Sequence, residues 1–223
     1  MKRIFLDIET LPVKEELWRD LQPELREDFV SRSKKPDPIG QNREEAHRRT
    51  ALSGEFGRIL CIGLVREGPA GEDARVIGWD ERGKRFHEDE AELLRELWNF
   101  LRDFDATRDL LIGHNILDFD LRFIYQRSVV QRVKPSVELS FRRYSSSPIF
   151  DTMQEWAKWS RQEMISLDRL ALVLGLSTSK SAEISGDKVF DRFREGKHQL
   201  IRDYCMADVE LTRKVYRRLS FAE

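Results

Sequence analysis

Short apolar runs recur along the chain, and they predict the strands of a sheet. The first run, at residues 4–10, is Ile-Phe-Leu-Asp-Ile-Glu-Thr, whose branched and aromatic residues are typical of a strand. A second and a third run lie at residues 58–65 and 75–79, with a turn-rich segment between them. Shorter runs at residues 110–113 and 149–150 predict a fourth and a fifth strand. We expect the first three strands to form an antiparallel meander.

Apolar residues three or four positions apart predict the helices. The clearest pattern lies at residues 88–105, where Leu94, Leu97, Leu101 and Phe104 fall on one stripe. A helix is predicted directly after the fourth strand. The next helix begins at an Asp151 cap or at a capping box of Thr152 and Glu155. Three more helices are predicted at residues 166–174, 187–194 and 197–219. A meander followed by alternating helices and strands predicts an α/β protein. Its mixed sheet of about five strands should carry helices on both faces.

A charged segment at about residues 12–57 separates the first two strands. Residues 13–30 have a helical period that Pro23 interrupts, residues 31–38 form a basic loop, and residues 41–52 are very polar and helical. The sequence therefore predicts a single domain, residues 1–223, with a charged and partly helical insertion. Such long segments are often functional, as lids or binding flaps, but a solvated cover is the alternative, and the sequence leaves both open.

Composition favours a soluble protein with no membrane partner. The chain has 223 residues, with 39 basic and 40 acidic side chains, so no global field indicates a charged partner. Cys61 and Cys205 have no metal-site spacing and are interpreted as buried thiols in a reducing compartment. The chain starts on a core strand with no signal peptide before it, and no apolar run approaches a membrane span. We therefore expect a cytoplasmic protein.

Asp7 and Glu9 stand two residues apart in the first apolar run. Because strand side chains alternate between the two faces of a sheet, both acids are expected on the same face as Phe5. Two buried carboxylates side by side are costly unless a cation lies between them. Oxygen ligands suit magnesium, manganese and calcium. A surface strand whose acids face water is the alternative, and this run by itself leaves it open.

Asp208 interrupts the apolar stripe of the last predicted helix. It lies four residues after Tyr204 and three before Leu211, so an acid and a phenol share the inward face one turn apart. Asp120 is a similar case, because it lies beside Phe119 and within a turn of apolar residues. If these elements pack together, four acids form a ligand set for one or two hard cations: Asp7, Glu9, Asp120 and Asp208.

Three motifs carry a resemblance to a known family. Residues 5–10, 115–120 and 204–208 resemble, in order and form, the three exonuclease motifs of the four-carboxylate 3′–5′ exonuclease superfamily, in its tyrosine branch. The middle motif, Asn-Ile-Leu-Asp-Phe-Asp, is most similar to the proofreading domain of B-family DNA polymerases. The chain as a whole resembles the stand-alone predicted exonucleases related to that domain, over residues 2–10 and 58–219. This resemblance implies a ribonuclease-H-like fold.

The superfamily also has a histidine branch, which offers a competing assignment in the same helix. His198 and Asp203 have the spacing of that branch. However, Asp203 lies on a mostly polar path of the helix, whereas Tyr204 and Asp208 lie on the apolar stripe. The sequence therefore favours the tyrosine pair.

The resemblance implies catalysis with two divalent cations, Mg²⁺ or Mn²⁺. Asp7 would bridge both ions, Glu9 and Asp208 would complete the site that generates hydroxide, and Asp120 would hold the second ion. Tyr204 would orient the attacking water, because a phenol with a pKa of about 10 is a poor base at neutral pH. The implied substrate is the 3′ end of single-stranded nucleic acid, with DNA favoured over RNA. The implied products are nucleoside 5′-monophosphates.

Substrate contacts are predicted at both ends of the site. Thr10 and Leu11, just past the first strand, would contact the terminal nucleotide, and Asn115 would position the loop or the penultimate nucleotide. Further candidates for phosphate contact or base stacking are residues 142–144 (Arg-Arg-Tyr), Lys188 and the basic insertion, with a solvated surface as the alternative. Two other functions stay open: a non-catalytic nucleic-acid-binding or assembly module, and a hydrolase of small nucleotides.

Overall fold

The computed structural model describes residues 1–31, 41–139, 141–179 and 181–222. Five strands form one mixed sheet in the order β3-β2-β1-β6-β7, and two very short strands pair separately. The strands are β1 (Arg3–Leu11), β2 (Arg58–Gly68), β3 (Gly71–Ile77), β4 (Trp79–Asp80), β5 (Arg85–Phe86), β6 (Leu110–Gly113) and β7 (Ile149–Asp151).

The first strand is the central strand of the sheet. β1 pairs with β2 in antiparallel register and with β6 in parallel register, and β7 runs parallel to β6. The antiparallel meander of β1, β2 and β3 is as predicted from the apolar runs. Because β1, β6 and β7 are parallel, their carboxyl ends meet at one edge of the sheet, which we call the carboxyl edge.

Nine helices lie within the described ranges, and three short 3₁₀ turns connect some of them. They are α1 (Glu15–Asp20), α2 (Pro23–Ser31), α3 (Gln41–Arg49), α4 (Glu90–Leu101), α5 (Asp120–Val130), α6 (Thr152–Ala157), α7 (Leu167–Val173), α8 (Val189–Arg194) and α9 (His198–Leu219).

Helices cover both faces of the sheet, because both faces of β1 are apolar. Ile4, Leu6 and Ile8 lie in one core with the apolar stripes of α4 and α5. Phe5, on the opposite face, packs against Tyr216 of α9 with ring centroids 5.6 Å apart. The alternation predicted for the first strand is therefore present, and the sheet is buried between two helical layers.

Two predicted boundaries need correction. The predicted helix at residues 88–105 ends at Leu101, because the Asp109 carboxylate accepts hydrogen bonds from the Asp105 and Lys2 amides and turns the chain into β6. The predicted strand at residues 75–79 ends at Ile77, because Gly78 has a φ of +91° and a side chain there would meet the Leu60 carbonyl.

The start of α6 is fixed by one of the two predicted caps. Asp151 is the N-cap, and its carboxylate accepts hydrogen bonds from the amides of Met153 and Gln154. Thr152 is therefore the first helical residue and not the cap of a capping box. Its hydroxyl donates a hydrogen bond to the Gly113 carbonyl instead.

The insertion is helical where the structure describes it. The helix predicted at residues 13–30 is two helices, α1 and α2, since Pro23 begins the second and keeps the residue before it out of helical conformation. α3 lies within the predicted polar helix and is followed by a 3₁₀ turn at Thr50–Leu52. From residue 32 onward, the basic loop predicted at residues 31–38 lies outside the described residues.

Candidate active site

Asp7 and Glu9 lie on the same face of the central strand. Glu9 is buried, with 6% of its surface exposed, and Asp7 is half-buried. Glu9 pairs with Cys61 and Thr10 pairs with Ile59, so Leu60 is an extra residue in β2 and forms a bulge opposite the step that follows the second acid. Bulges of this kind re-aim neighbouring side chains and are frequent beside active sites.

The first residue of α5 brings a third acid to this strand. Asp120 is buried, and its carboxylate accepts a hydrogen bond of 3.1 Å from the amide of Ile8. Since Ile8 lies between Asp7 and Glu9 in the chain, Asp120 is held beside both acids. The loop at residues 114–119 carries α5 to this position directly from the end of β6.

The last helix brings the fourth acid and the phenol. α9 packs along β1 and β2, and the apolar stripe predicted for it is buried at Ile201, Tyr204, Leu211 and Val215. Asp208 is half-buried in that stripe and is hydrogen-bonded to the Tyr204 side chain. All five residues predicted as catalytic are thus brought together by three elements that are distant in sequence.

The acids raise one another's pKa. Burial raises the pKa of Asp7 well above its ordinary value, and the nearby carboxylates of Asp208, Asp120 and Glu9 raise it further. The pKa of Glu9 is also raised, first by burial and then by Cys61 and Asp208. Such a cluster of acids is costly in the ionised form unless a cation joins it.

The donor set fits hard divalent cations. Oxygen atoms of Asp7 and Glu9 and the sulfur of Cys205 all lie within 4.8 Å of one another. Cys205 is not a suitable ligand for Mg²⁺ or Mn²⁺, because its hydrogen bond with Cys61 and its burial raise its pKa and keep it a neutral thiol. The carboxylates of Asp7, Glu9, Asp120 and Asp208 therefore remain as the groups that could hold metal.

Burial raises the pKa values of both the Asp120 carboxyl group and the Tyr204 phenol. Burial raises the pKa of Asp120 to about 7, although hydrogen bonds from backbone amides, including that of Ile8, oppose the effect. The pKa of the Tyr204 phenol is raised above its ordinary value, first by burial and then by the charge of Asp208. Tyr204 therefore keeps its proton at neutral pH and can donate a hydrogen bond.

The predicted substrate residues lie in different environments. β1 runs to Leu11, so Thr10 and Leu11 lie inside the strand and not past its end as predicted. Leu11 is fully buried, which leaves its side chain no exposed surface for a nucleotide in this structure. The hydroxyl of Thr10 donates a hydrogen bond to the Ala51 carbonyl. Asn115 has a φ of +60° and begins the loop that leads to Asp120.

A groove of about 380 Å³ opens beside Glu9 and is partly walled by the insertion. Arg48 and Arg49, at the end of α3, line the groove opposite Glu9 and Thr10. The Arg48 guanidinium donates a hydrogen bond of 2.7 Å to Asp191 of α8, which ties the insertion to the body of the protein. Arg48 also pairs with Glu44, and Arg49 pairs with Glu45, so the insertion brings arginines and acids together to the edge of the site.

The competing histidine assignment lies away from this cluster. Nδ1 of His198 accepts a hydrogen bond from the Phe86 amide, and its ring packs against Phe86 and Phe193. Asp203 is exposed and pairs with Arg202. His198 therefore holds the start of α9 against β5 and α8, whereas Asp203 bonds to Gln199 and Arg202 of its own helix. The tyrosine pair is the one that faces the acids.

The sequence interpretation missed the residue that shapes the middle motif. Asp151 is buried, and besides capping α6 it accepts hydrogen bonds from the amides of Asn115 and Leu117. It therefore fixes the loop between β6 and α5 and, through the loop, the position of Asp120. An aspartate at the end of a predicted strand was a usable signal, but it gave no indication of the loop it would bind.

A buried ion pair holds α5 from the other side. The Arg127 guanidinium donates two hydrogen bonds to Glu90 of α4, at 2.7 and 3.0 Å, and both side chains are 8% exposed. Glu90 also accepts a hydrogen bond from the Ile59 amide of β2. The pair therefore fixes the positions of α4, α5 and β2 relative to one another. The sequence pattern singled out neither Arg127 nor Glu90.

The fold and its acids define the class of protein. The mixed five-stranded sheet with helices on both faces is a ribonuclease-H-like α/β fold of the kind found in exonucleases. The family described as predicted 3′–5′ exonucleases related to the exonuclease domain of PolB matches residues 51–223, and the chain belongs to this family. β1 precedes the matched residues and joins them as their central strand. No curated protein matches the sequence.

The length and the apolar character of a helix decide whether it can cross a membrane. Within the described ranges, no helix combines the length and the apolar character that crossing a membrane requires.

Proposed function

We propose that this protein is a metal-dependent exonuclease that hydrolyses phosphodiester bonds at the 3′ ends of single-stranded nucleic acid. The observation that carries the proposal is the close approach of Asp7, Glu9, Asp120 and Asp208 in a member of an exonuclease family. DNA is favoured over RNA because the family is related to the exonuclease domain of PolB. The products are nucleoside 5′-monophosphates.

The carboxylates of Asp7, Glu9, Asp120 and Asp208 would hold two divalent cations, Mg²⁺ or Mn²⁺. Bound there, the cations would lower the pKa of a water molecule and neutralise charge on the leaving oxygen. Tyr204, which keeps its proton, would orient the attacking water through its hydroxyl. The backbone at Thr10 and the loop at Asn115 would position the terminal and penultimate nucleotides.

The insertion belongs to the substrate site in this proposal. Residues 1–223 form a single exonuclease domain with an insertion at residues 12–57, and the part of the insertion from Glu45 to Leu52 lines one side of the catalytic groove. Arg48 and Arg49 line the groove beside Glu9, where a phosphate would compete for them with the carboxylates that they pair with. The hydrogen bond from Arg48 to Asp191 supports a fixed position for this wall.

Digestion of an oligonucleotide labelled at its 5′ end tests the proposal. With Mg²⁺ or Mn²⁺, we expect a ladder of products that shorten one nucleotide at a time. Asp7→Ala should lower the rate by about a thousandfold or more, because it removes one of the carboxylates that would hold the cations. Asp203→Ala is the matched control, since it removes an exposed acid from α9, and it should leave the ladder unchanged.

The same assay separates the two other functions. An intact substrate with every metal, together with binding that Asp208→Ala does not weaken, would indicate a non-catalytic binding module. Cleavage of dinucleotides but not of longer strands would indicate a hydrolase of small nucleotides. Equal activity of the wild type and Asp7→Ala would overturn the catalytic assignment itself.

A further inference from the structure

A second cleft lies at the loop that leads to Asp120 and is lined by different residues from the catalytic groove, among them Leu117 and Asp118. Its walls combine three arginines with three aromatic rings, and Gln154 also lines it. The arginines are Arg122, Arg143 and Arg161, and the aromatic residues are Phe141, Tyr144 and Trp159. We call this the aromatic cleft. Arginine and aromatic rings together are the usual surface for a single-stranded nucleic acid, because arginine contacts phosphate and rings stack on bases.

Tyr144 is placed as a stacking platform. Its side chain is 78% exposed, and its ring lies 5.3 Å from the ring of Trp159. Its φ is +62°, a left-handed conformation that is unusual for a bulky residue. An exposed aromatic ring held in an unfavourable backbone conformation suggests a function outside the core.

The charges of the aromatic cleft are available to a ligand. Arg143 and Arg161 are both exposed, and neither pairs with a carboxylate in the described parts of the chain. Arg122 is the exception, since its guanidinium lies 3.4 Å from the Asp118 carboxylate. The guanidinium groups of Arg143 and Arg161, which lie beside exposed aromatic rings without a carboxylate partner among the described residues, favour a ligand that is both anionic and aromatic.

The side-chain amide oxygen of Gln154 offers an acceptor for a hydrogen bond from a base. It is 3% exposed, and its Oε1 has no hydrogen-bond partner among the described residues. Its Nε2 lies 3.5 Å from Asp118 Oδ2, a weak contact. A buried amide oxygen without a partner is costly, and a small shift of this side chain would let a base N–H group satisfy it.

The position of the aromatic cleft relates it to the acids. Asp118 is two residues before Asp120, and Gln154 follows β7, so the cleft lies above the same carboxyl edge as the end of β1. β7 is the second strand from β1, and neighbouring strands are about 4.8 Å apart, so Asp151 lies about 10 Å across the sheet from β1. Since Ile112 pairs with Phe5 and Gly113 pairs with Asp151, Glu9 also lies three residues, or about 10 Å, further along β1. A strand that ends at the acids would therefore reach the cleft with a nucleotide upstream of its two terminal nucleotides.

We infer that the aromatic cleft binds a base and phosphate of the substrate strand upstream of its 3′-terminal nucleotide. The base stacks on Tyr144 and Trp159 and faces Gln154, and Arg143 and Arg161 bind the phosphates. This inference rests on the proposed exonuclease function for the identity of the strand. It explains how an enzyme with almost no net charge can hold a polyanion, since local arginines supply the charge.

Binding without turnover provides the first test. The probe is a fluorescein-labelled oligothymidine of on the order of ten nucleotides, and its anisotropy is measured in EDTA. The variant is the double substitution Arg143→Ala with Tyr144→Ala, which changes two exposed side chains. Its Kd should be at least about fivefold higher than that of the wild type, and the difference should shrink with added salt. An unchanged Kd would overturn the inference.

A matched control separates this effect from a general loss of positive charge. Arg108→Ala with Phe221→Ala removes an exposed arginine and an exposed ring outside the cleft, and it should bind as the wild type does. If the control weakens binding as much as the cleft variant does, the cleft assignment is wrong.

Length dependence provides the second test. The cleft variant should lower kcat/KM for the oligonucleotide at least about fivefold more than kcat/KM for a dinucleotide, because a dinucleotide is too short to fill both sites. An equal loss for both substrates would contradict the inference. If the wild type hydrolyses neither substrate but loses affinity on cleft substitution, the proposed function fails while the binding site stands.

Discussion

Gly63 lies directly opposite Asp7 in the pairing of β2 with β1. A Cβ at Gly63 would lie 2.9 Å from the sulfur of Cys205 and 2.9 Å from a methyl carbon of Val209, both in α9. The missing side chain therefore lets the last helix approach the sheet closely. This close approach is what brings Tyr204 and Asp208 to Asp7.

Gly63→Ala should push α9 away from the sheet. We expect a loss of about 1–3 kcal/mol in the free energy of unfolding, because the packed core must shift to admit the methyl group. We also expect lower exonuclease activity, because Asp208 moves with the helix. Urea unfolding and the labelled-oligonucleotide assay measure the two effects.

Gly68→Ala is the control for this substitution, because it lies in the same strand and its nearest side-chain atom would be 3.5 Å away. It should change neither stability nor activity by much. Equal stability of Gly63→Ala and the wild type would show that the helix does not depend on this glycine.

The metal-free protein should lose stability as pH rises. The pKa of Asp120 is about 7 in the folded protein against an ordinary 3.8, so its folded form keeps a proton that the unfolded form releases. Its contribution is full below pH 4 and declines until pH 7. The difference between the two pKa values corresponds to an upper limit of about 4 kcal/mol. Urea unfolding in EDTA between pH 4 and about pH 8 measures the decline.

Asp120→Asn tests the origin of this pH dependence. An asparagine oxygen can still accept the hydrogen bond from the Ile8 amide, but it cannot ionise. The variant should show a shallower decline of stability with pH, and Mg²⁺ should stabilise it less than the wild type. A pH profile identical to that of the wild type would exclude Asp120 as the cause.

Tyr204→Phe should lower kcat by up to about a hundredfold, because the hydroxyl that orients the attacking water is lost. KM and the stability of the fold should change little, since the ring remains buried. Tyr216→Phe is the control. Tyr216 is equally buried in the same helix, at 7% exposed, but it packs against Phe5 and Phe150. A similar loss of kcat in both variants would argue against a special role for Tyr204.

Asp203→Asn and His198→Gln should each retain activity within about twofold, although they have the spacing of the histidine branch. Asp203 is exposed and His198 packs at the start of α9, so neither faces the acids. Asp203→Asn is a surface change, which is usually small in effect, and His198→Gln keeps an acceptor for the Phe86 amide. Steady-state kinetics check this, and a loss comparable to that of Asp208→Asn would revive the alternative assignment.

Much of the fold could be predicted because local patterns determine it. The alternation in residues 4–10 placed Asp7 and Glu9 on one face, and the stripe of α9 identified Asp208 as an acid in an apolar position. These predictions depend only on the period of a strand or a helix, which neighbouring residues set.

Element ends were less predictable, because distant residues set them. Gly78 ends β3 through its close approach to the Leu60 carbonyl, and Asp109 ends the α4 region through a bond with Lys2. Neither partner is near in sequence, so no local period indicated it.

The sequence by itself determined which residues are acids on inward faces and in which order their motifs occur. Only the tertiary structure decided three other relationships. The Ile8 amide donates a hydrogen bond to Asp120, Gly63 lets α9 pack close to the sheet, and Arg48 lines the groove. The physical reason is that each of these relationships joins residues far apart in the chain. Their distances depend on how whole elements pack, and packing is a property of the complete core.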